Sequence, residues 1–103
     1  MIGGNIILQI ADLSLNSETL EVKRNGKIIE LTSQEFKLLE YLMTKQGEIQ
    51  KREIILTKIW QYSPGIKSRV VDVYMGYLRK KIDSGFDKKL LHSIRGSGYV
   101  INE

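Results

Sequence analysis

The sequence predicts an α+β domain: a small antiparallel sheet, three helices, and a closing β-hairpin. Three observations carry this. Residues 6–31 form short β-like runs interrupted at Asn25-Gly26. Residues 32–82 change to helical spacing behind a capping pattern at Thr32. Residues 90–101 return to β-forming runs on either side of Gly96-Ser97-Gly98. A chain of 103 residues is long enough for one domain with one core.

In the sheet, Ile6–Ile10 and Leu13–Leu15 read as two strands joined by Ala11-Asp12. Thr19–Lys23 alternates apolar and polar at period two, and Lys27–Leu31 continues the pattern beyond Asn25-Gly26. Asn-Gly is a strong hairpin signal because both turn residues need positive φ. Residues 1–4 read as a linker tail or an appended remnant. The domain proper is then 5–103, with the sheet over 5–31, the helices over 32–82 and the hairpin over 90–101.

Thr32-Ser33-Gln34-Glu35 has the form of a capping box, in which hydroxyl and carboxylate each satisfy a free backbone N–H. Phe36, Leu39, Leu42 and Met43 share one face of the helix that follows, and Gly47 stops it. A second helix fits Lys51–Trp60, with Ile55, Ile59 and Trp60 turned inward. The only proline, in Ser63-Pro64-Gly65, places a loop over Gln61–Ile66.

The third helix, Lys67–Ile82, carries most of the functional information. Val71, Met75, Leu78 and Ile82 are spaced four, three and four apart, which makes one core stripe. At about 100° per residue the opposite side holds Arg69, Val70, Val73, Gly76, Tyr77 and Lys80. Asp72 and Arg79 lie on a flank. That outer face has no acid, two cations, an aromatic and exposed β-branched residues, so it asks for a partner. Asp83-Ser84-Gly85 ends the helix.

Charge points the same way. The formal net charge is +4. Residues 1–66 carry eight basic and eight acidic side chains, and residues 67–103 carry eight basic against four acidic. An excess confined to the last third suits a polyanionic partner, although a plain basic surface would look alike. There is no cysteine and one histidine, His92, so no disulfide framework, thiolate site or histidine metal site is expected. No cofactor is expected. No apolar run approaches the roughly 20 residues of a membrane helix, and no signal peptide is visible, which fits a cytoplasmic protein.

A helix-turn-helix followed by a hairpin is a winged helix, whose last helix enters the major groove while the wing reaches the adjacent backbone or minor groove. The sequence resembles the winged-helix effector domain of OmpR/PhoB-class bacterial response regulators. The resemblance rests on Leu31-Thr32 with Glu35-Phe36 and Leu38-Leu39, Gly47, Arg52-Glu53 and Ile59-Trp60. It continues through Arg69-Val70-Val71-Asp72-Val73, Leu78-Arg79-Lys80-Lys81-Ile82 and Ile94-Arg95-Gly96-Ser97-Gly98-Tyr99. These fragments follow the family order over nearly the whole chain.

The resemblance implies a four-stranded N-terminal sheet, major-groove reading by the third helix and a minor-groove role for the wing arginine. It implies tandem direct-repeat DNA sites, with the isolated domain monomeric and dimeric on DNA. It implies RNA polymerase contact through Gln61, Tyr62, Ser63, Gly65 and Lys67, and a separate receiver domain served by a sensor kinase. The receiver's acidic site is not in this sequence. Positions matching Tyr74, Gly76 and Tyr77 are often basic or small and polar in the family. Here they shift the face toward apolar and aromatic readout, such as contact with thymine methyls. Gln61-Tyr62 also stands where glycine is frequent, which leaves the loop shape open.

The candidate DNA-contacting residues are Arg69, Val70, Val73, Tyr74, Tyr77, Arg79, Lys80, Ser93 and Arg95. Arg69 pairing with guanine would give about 1–3 kcal/mol of base discrimination. Val73 is a misplaced core residue or a base-methyl contact. Tyr77 packs on a neighbour or bonds a phosphate, and Tyr74 sits between core and DNA face. Arg79 and Lys80 suit phosphates, Lys81 less so. Asp72 is expected to hold Arg52, Arg69 or Arg79. Arg95 is a minor-groove residue or a solvated one. His92 is read as structural or exposed and Trp60 as core. Gly96-Ser97-Gly98 lacks the Lys-Ser/Thr of a phosphate loop and reads as turn chemistry. Two other functions compete: a winged helix that binds protein through the same apolar face, and a small enzyme. The enzyme reading lacks a nucleophile or a paired carboxylate in a cleft.

Overall fold

The computed structural model describes residues 7–103. The assignment of residues 1–4 to a linker or remnant, and of Ile6 to the first strand, falls outside the described residues. Strands β1 (Ile7–Ile10), β2 (Leu13–Asn16), β3 (Val22–Arg24) and β4 (Lys27–Ile28) form an antiparallel sheet in sequence order. Helices α1 (Ser33–Thr44), α2 (Arg52–Trp60) and α3 (Val70–Leu78) follow, and β5 (Leu91–Ile94) and β6 (Gly98–Ile101) pair as the hairpin. This is the winged-helix architecture that the element order predicts.

Asn25 and Gly26 both take positive φ, at 53° and 77°, and make the β3–β4 turn. The third strand is shorter than its alternation suggests. The Asn16 side-chain oxygen accepts the N–H groups of Glu18 and Thr19, and Leu20 turns to φ 65°. Ser17–Thr19 therefore forms a turn and the strand starts only at Val22, because a local side-chain bond outcompetes the ladder. The fourth strand ends at Ile28 rather than Leu31.

Both bonds of the capping box form: Thr32 Oγ1 accepts the Glu35 N–H at 3.2 Å, and Glu35 Oε1 accepts the Thr32 N–H at 2.9 Å. Helix α1 puts Phe36, Leu38, Leu39, Leu42 and Met43 into the core. There they meet Leu13, Leu15 and Val22 of the sheet, Ile55 and Leu56 of α2, and Val71, Met75 and Leu78 of α3. Leu90, Leu91, Tyr99 and Ile101 close the core from the hairpin side. Ile59 and Trp60 are half-buried against it.

The third helix differs from its expected span at both ends. It begins at Val70, not Lys67, because the Ser68 hydroxyl takes the Val70 N–H at 3.2 Å and Arg69 is the capping residue. Beyond Leu78 the chain continues as a wide π-type turn over Arg79–Asp83, closed by the Ser84 N–H on the Arg79 carbonyl at 2.9 Å. The wider turn keeps Ile82 in the core and brings Asp83 to the buried side beside it.

Candidate nucleic-acid interface

Helix α3 presents its free face as the core stripe requires. With Val71, Met75 and Leu78 fully buried, Val73 and Tyr77 stand 45% and 47% exposed, an unusual position for large apolar groups. Gly76 and Lys80 are exposed between and beyond them. Val70, expected on this face, is half-buried and packs against the core with Tyr74, one turn on. The late helix start puts Val70 at the root of the first turn. Tyr77 is both exposed and packed: its ring meets Tyr74 edge-on at 5.2 Å, and Tyr74 meets Trp60 in the same way.

Along one flank of α3, Arg52, Lys67, Ser68, Arg69, Asp72, Arg79 and Tyr99 line an open cleft. Four cations there face one carboxylate. Asp72 is the organising group. Its Oδ1 accepts Arg52 Nε at 2.9 Å and also the Tyr99 hydroxyl, which joins α2, α3 and β6 at one oxygen. Of the arginines expected for Asp72, Arg52 is the one bonded. Burial alone would raise the Asp72 carboxyl, but the Tyr99 and Arg52 bonds and the nearby Arg69 charge outweigh it and hold it below its ordinary value. The Asp72 bond raises Arg52, and burial pushes the Tyr99 hydroxyl upward. Arg52 and Arg79 lie over the Tyr99 ring, at 5.6 and 5.8 Å from its centre.

The remaining candidates separate clearly. Lys80 is exposed, whereas Lys81 turns back to the buried Glu35 carboxylate at 2.7 Å and is no longer free for a phosphate. Burial would raise Glu35, but Lys81 and the Thr32 N–H more than offset it, and its carboxyl stands low. In the hairpin Ser93 is exposed, and Arg95 stands exposed in the Arg95-Gly96-Ser97 turn. Gln61, Tyr62, Ser63, Gly65 and Lys67 are all exposed in the loop between α2 and α3, and Gln61 takes a left-handed φ of 59°.

The family described as "Transcriptional regulatory protein, C terminal" matches residues 26–101. The chain belongs to that family, the C-terminal effector domains of OmpR/PhoB-class response regulators. This effector domain is 44% identical over 90 residues to the uncharacterized transcriptional regulatory protein YkoG of Bacillus subtilis, covering 87% of this chain and 40% of YkoG. It is 40% identical over 94 residues to the probable transcriptional regulatory protein TcrX of Mycobacterium tuberculosis, covering 91% of this chain and 40% of TcrX. The chain thus spans about 40% of the length of these two relatives. Among solved structures, the DNA-binding domain of CpxR from E. coli superposes with a TM-score of 0.81 at 26% identity, over 94% of this chain and 96% of that one. The Klebsiella pneumoniae RstA DNA-binding domain, solved in complex with the RstA box, has the same fold: TM-score 0.85 at 24% identity, over 95% and 98%.

Sequence reasoning missed two contributors to the effector domain's cleft. Ser68 gave no signal beyond being a hydroxyl two residues before the first helical N–H. Tyr99 reads as a strand residue ending the hairpin motif, with no site role, since nothing local shows that its hydroxyl reaches Asp72 across 27 positions. No helix among the described residues is long and apolar enough to cross a membrane.

Proposed function

We propose that this domain binds double-stranded DNA sequence-specifically, as the effector of a two-component transcriptional regulator. In this reading α3 lies in the major groove and Arg95 reaches the minor groove. The observation that carries it is the four-cation cleft along the flank of α3, which adjoins an exposed, acid-free helix face. In the same reading Arg69 pairs with a guanine, Arg79 and Lys80 touch phosphates, and Val73 and Tyr77 face the bases. The exposed loop Gln61–Lys67 offers RNA polymerase a contact, and two copies of the domain occupy direct repeats. A receiver domain, phosphorylated by a sensor kinase in the cytoplasm, completes the regulator.

Selection from a random duplex library followed by salt titration tests this. Affinity should fall steeply as salt rises, because each neutralised phosphate releases counterions. Arg69→Ala and Arg95→Ala should each weaken binding to the selected duplex. Changes at Val73 and Tyr77 should alter sequence preference, while Lys80→Ala should weaken all sequences alike. Parent-like binding by both arginine variants refutes the groove-and-wing geometry. The same apolar face also suits a protein partner, and salt-insensitive capture without duplex binding would favour that reading.

A further inference from the structure

Three aromatic rings make a ladder from the end of α2 to the outer face of α3. The Trp60 ring meets Tyr74 at 5.2 Å with planes at 69°, and Tyr74 meets Tyr77 at 5.2 Å with planes at 66°. Both are edge-to-face contacts, the favoured geometry for aromatic pairs. The lower two rings are half-buried against the core, and of the three only Tyr77 is exposed. The base of the ladder is itself fixed, since Gln34 of α1 donates to the Ile59 carbonyl at 3.1 Å, one residue before Trp60. Gln61, directly after Trp60, turns left-handed and starts the loop to Lys67.

An exposed tyrosine on a helix ordinarily samples several rotamers and loses that freedom when it binds. Here the ring is braced before any ligand arrives. The brace is the edge-on contact of Tyr77 with the half-buried Tyr74, at 5.2 Å.

We propose that Trp60 and Tyr74 are positioning residues that pre-set the Tyr77 ring for sequence reading, and that they tie this ring mechanically to the Gln61–Lys67 loop. The inference rests on the DNA-binding reading above. Tyr74 and Trp60 need not touch DNA; they act through the one ring that does. A partner that shifts the loop then alters what α3 prefers to read, and a duplex on α3 is felt at Trp60.

The single tryptophan of the chain makes this measurable. Duplex binding should change Trp60 emission in the parent, and Tyr77→Ala, which removes the outermost ring, should abolish that change at saturating duplex while leaving the domain folded. Tyr74→Leu and Trp60→Leu should reduce discrimination between the selected duplex and its variants by roughly 2- to 10-fold, the range one aromatic pair spans. Tyr74→Phe, which keeps the ring, should restore it. Unaltered preference in the leucine variants, or Trp60 emission unmoved at saturation by duplex in the parent, overturns the ladder while leaving the DNA-binding reading in place. Failure of the parent to bind any duplex overturns that reading and the ladder with it.

Discussion

Replacing Arg24 with alanine should cost this small domain a large share of its stability. Arg24 ends β3 and is 1% exposed. Its guanidinium donates Nε to Asp12 Oδ1 at 2.6 Å, Nη1 to the Ile82 carbonyl at 2.6 Å and to Asp83 Oδ1 at 3.1 Å, and Nη2 to the Lys88 carbonyl at 2.5 Å. It also lies 4.4 Å from the centre of the Phe86 ring. The two carboxylates are not equivalent. Asp12 is 42% exposed, so water screens that pair and it contributes at most about 1 kcal/mol. Asp83 is 6% exposed, and removing its cation leaves a charge inside the protein, which costs about 3–5 kcal/mol. Arg24→Ala should therefore destabilise by about 3–5 kcal/mol, and Asp12→Ala by less than about 1 kcal/mol. At roughly 4–8 °C per kcal/mol, the first lowers Tm by roughly 12–40 °C. Removing both members of the inner pair should not rescue the loss. Asp83 also accepts the Leu90 and Leu91 N–H groups at 3.0 Å each, and these would be orphaned. Urea unfolding followed by Trp60 emission and circular dichroism measures each case. A loss below about 1 kcal/mol for Arg24→Ala would refute the argument, because it would mean that the buried carboxylate needs no cation.

Two further outcomes follow from single observations. Gly76 is helical, exposed and open to a Cβ, so Gly76→Ala should stabilise the fold by about 0.5–1 kcal/mol. A lower Tm would show that the backbone there is not the relaxed helix described, and reduced duplex affinity at raised Tm would place that backbone against DNA. Glu35 and Asp72 both stand below their ordinary values of 4.5 and 3.8 in the folded chain. As pH falls, the unfolded chain takes up protons first, so their stabilisation is complete above those values and is lost as pH drops through the lower folded ones. Urea midpoints should decline below about pH 4.5, and Asp72→Asn should flatten part of that decline; a midpoint constant down to pH 3 in the parent contradicts the assignment.

What was legible in the sequence and what was not divides along a physical line. Features set by near neighbours were legible: Asn25-Gly26, the Thr32–Glu35 box and the Val71–Met75–Leu78–Ile82 stripe each state their structure within a few residues. Arg24 fell just outside the Thr19–Lys23 alternation and drew no reading of its own, because its partners lie 12 to 64 positions away. Lys81 looked like one cation of a basic run, and only α1 packing beside it reveals that Glu35 claims it. The ends of α3 were misplaced for a related reason. Helical spacing sees a stripe, but not the Ser68 hydroxyl that delays the start or the π-type turn that widens the finish. For the candidate interface, the outward face of α3 was readable from periodicity, with Val70 as its error. The bond of Asp72 to α2 was foreseen only as a choice among three arginines, and its bond to β6 was not foreseen.

Gly98 has a consequence of another kind. Its φ is 146°, and a Cβ there would be driven into the Gln50 carbonyl oxygen and lie 3.0 Å from Lys51 Cα. That close approach lets Tyr99 exchange two backbone bonds with Gln50, at 2.7 and 2.9 Å, so the hairpin is stitched to the segment that enters α2. Asp72 clamps the same tyrosine from α3. Helix and wing are thus the two jaws of a caliper whose gauge is set before any duplex arrives. On the DNA-binding reading, the duplex must do the adjusting. A site whose grooves already match the gauge is gripped as it stands. Another must bend or change groove width, at a cost of order 1–6 kcal/mol for a site of 20–30 base pairs. Part of the preferred sequence is then written in the stiffness of base steps that no side chain reaches.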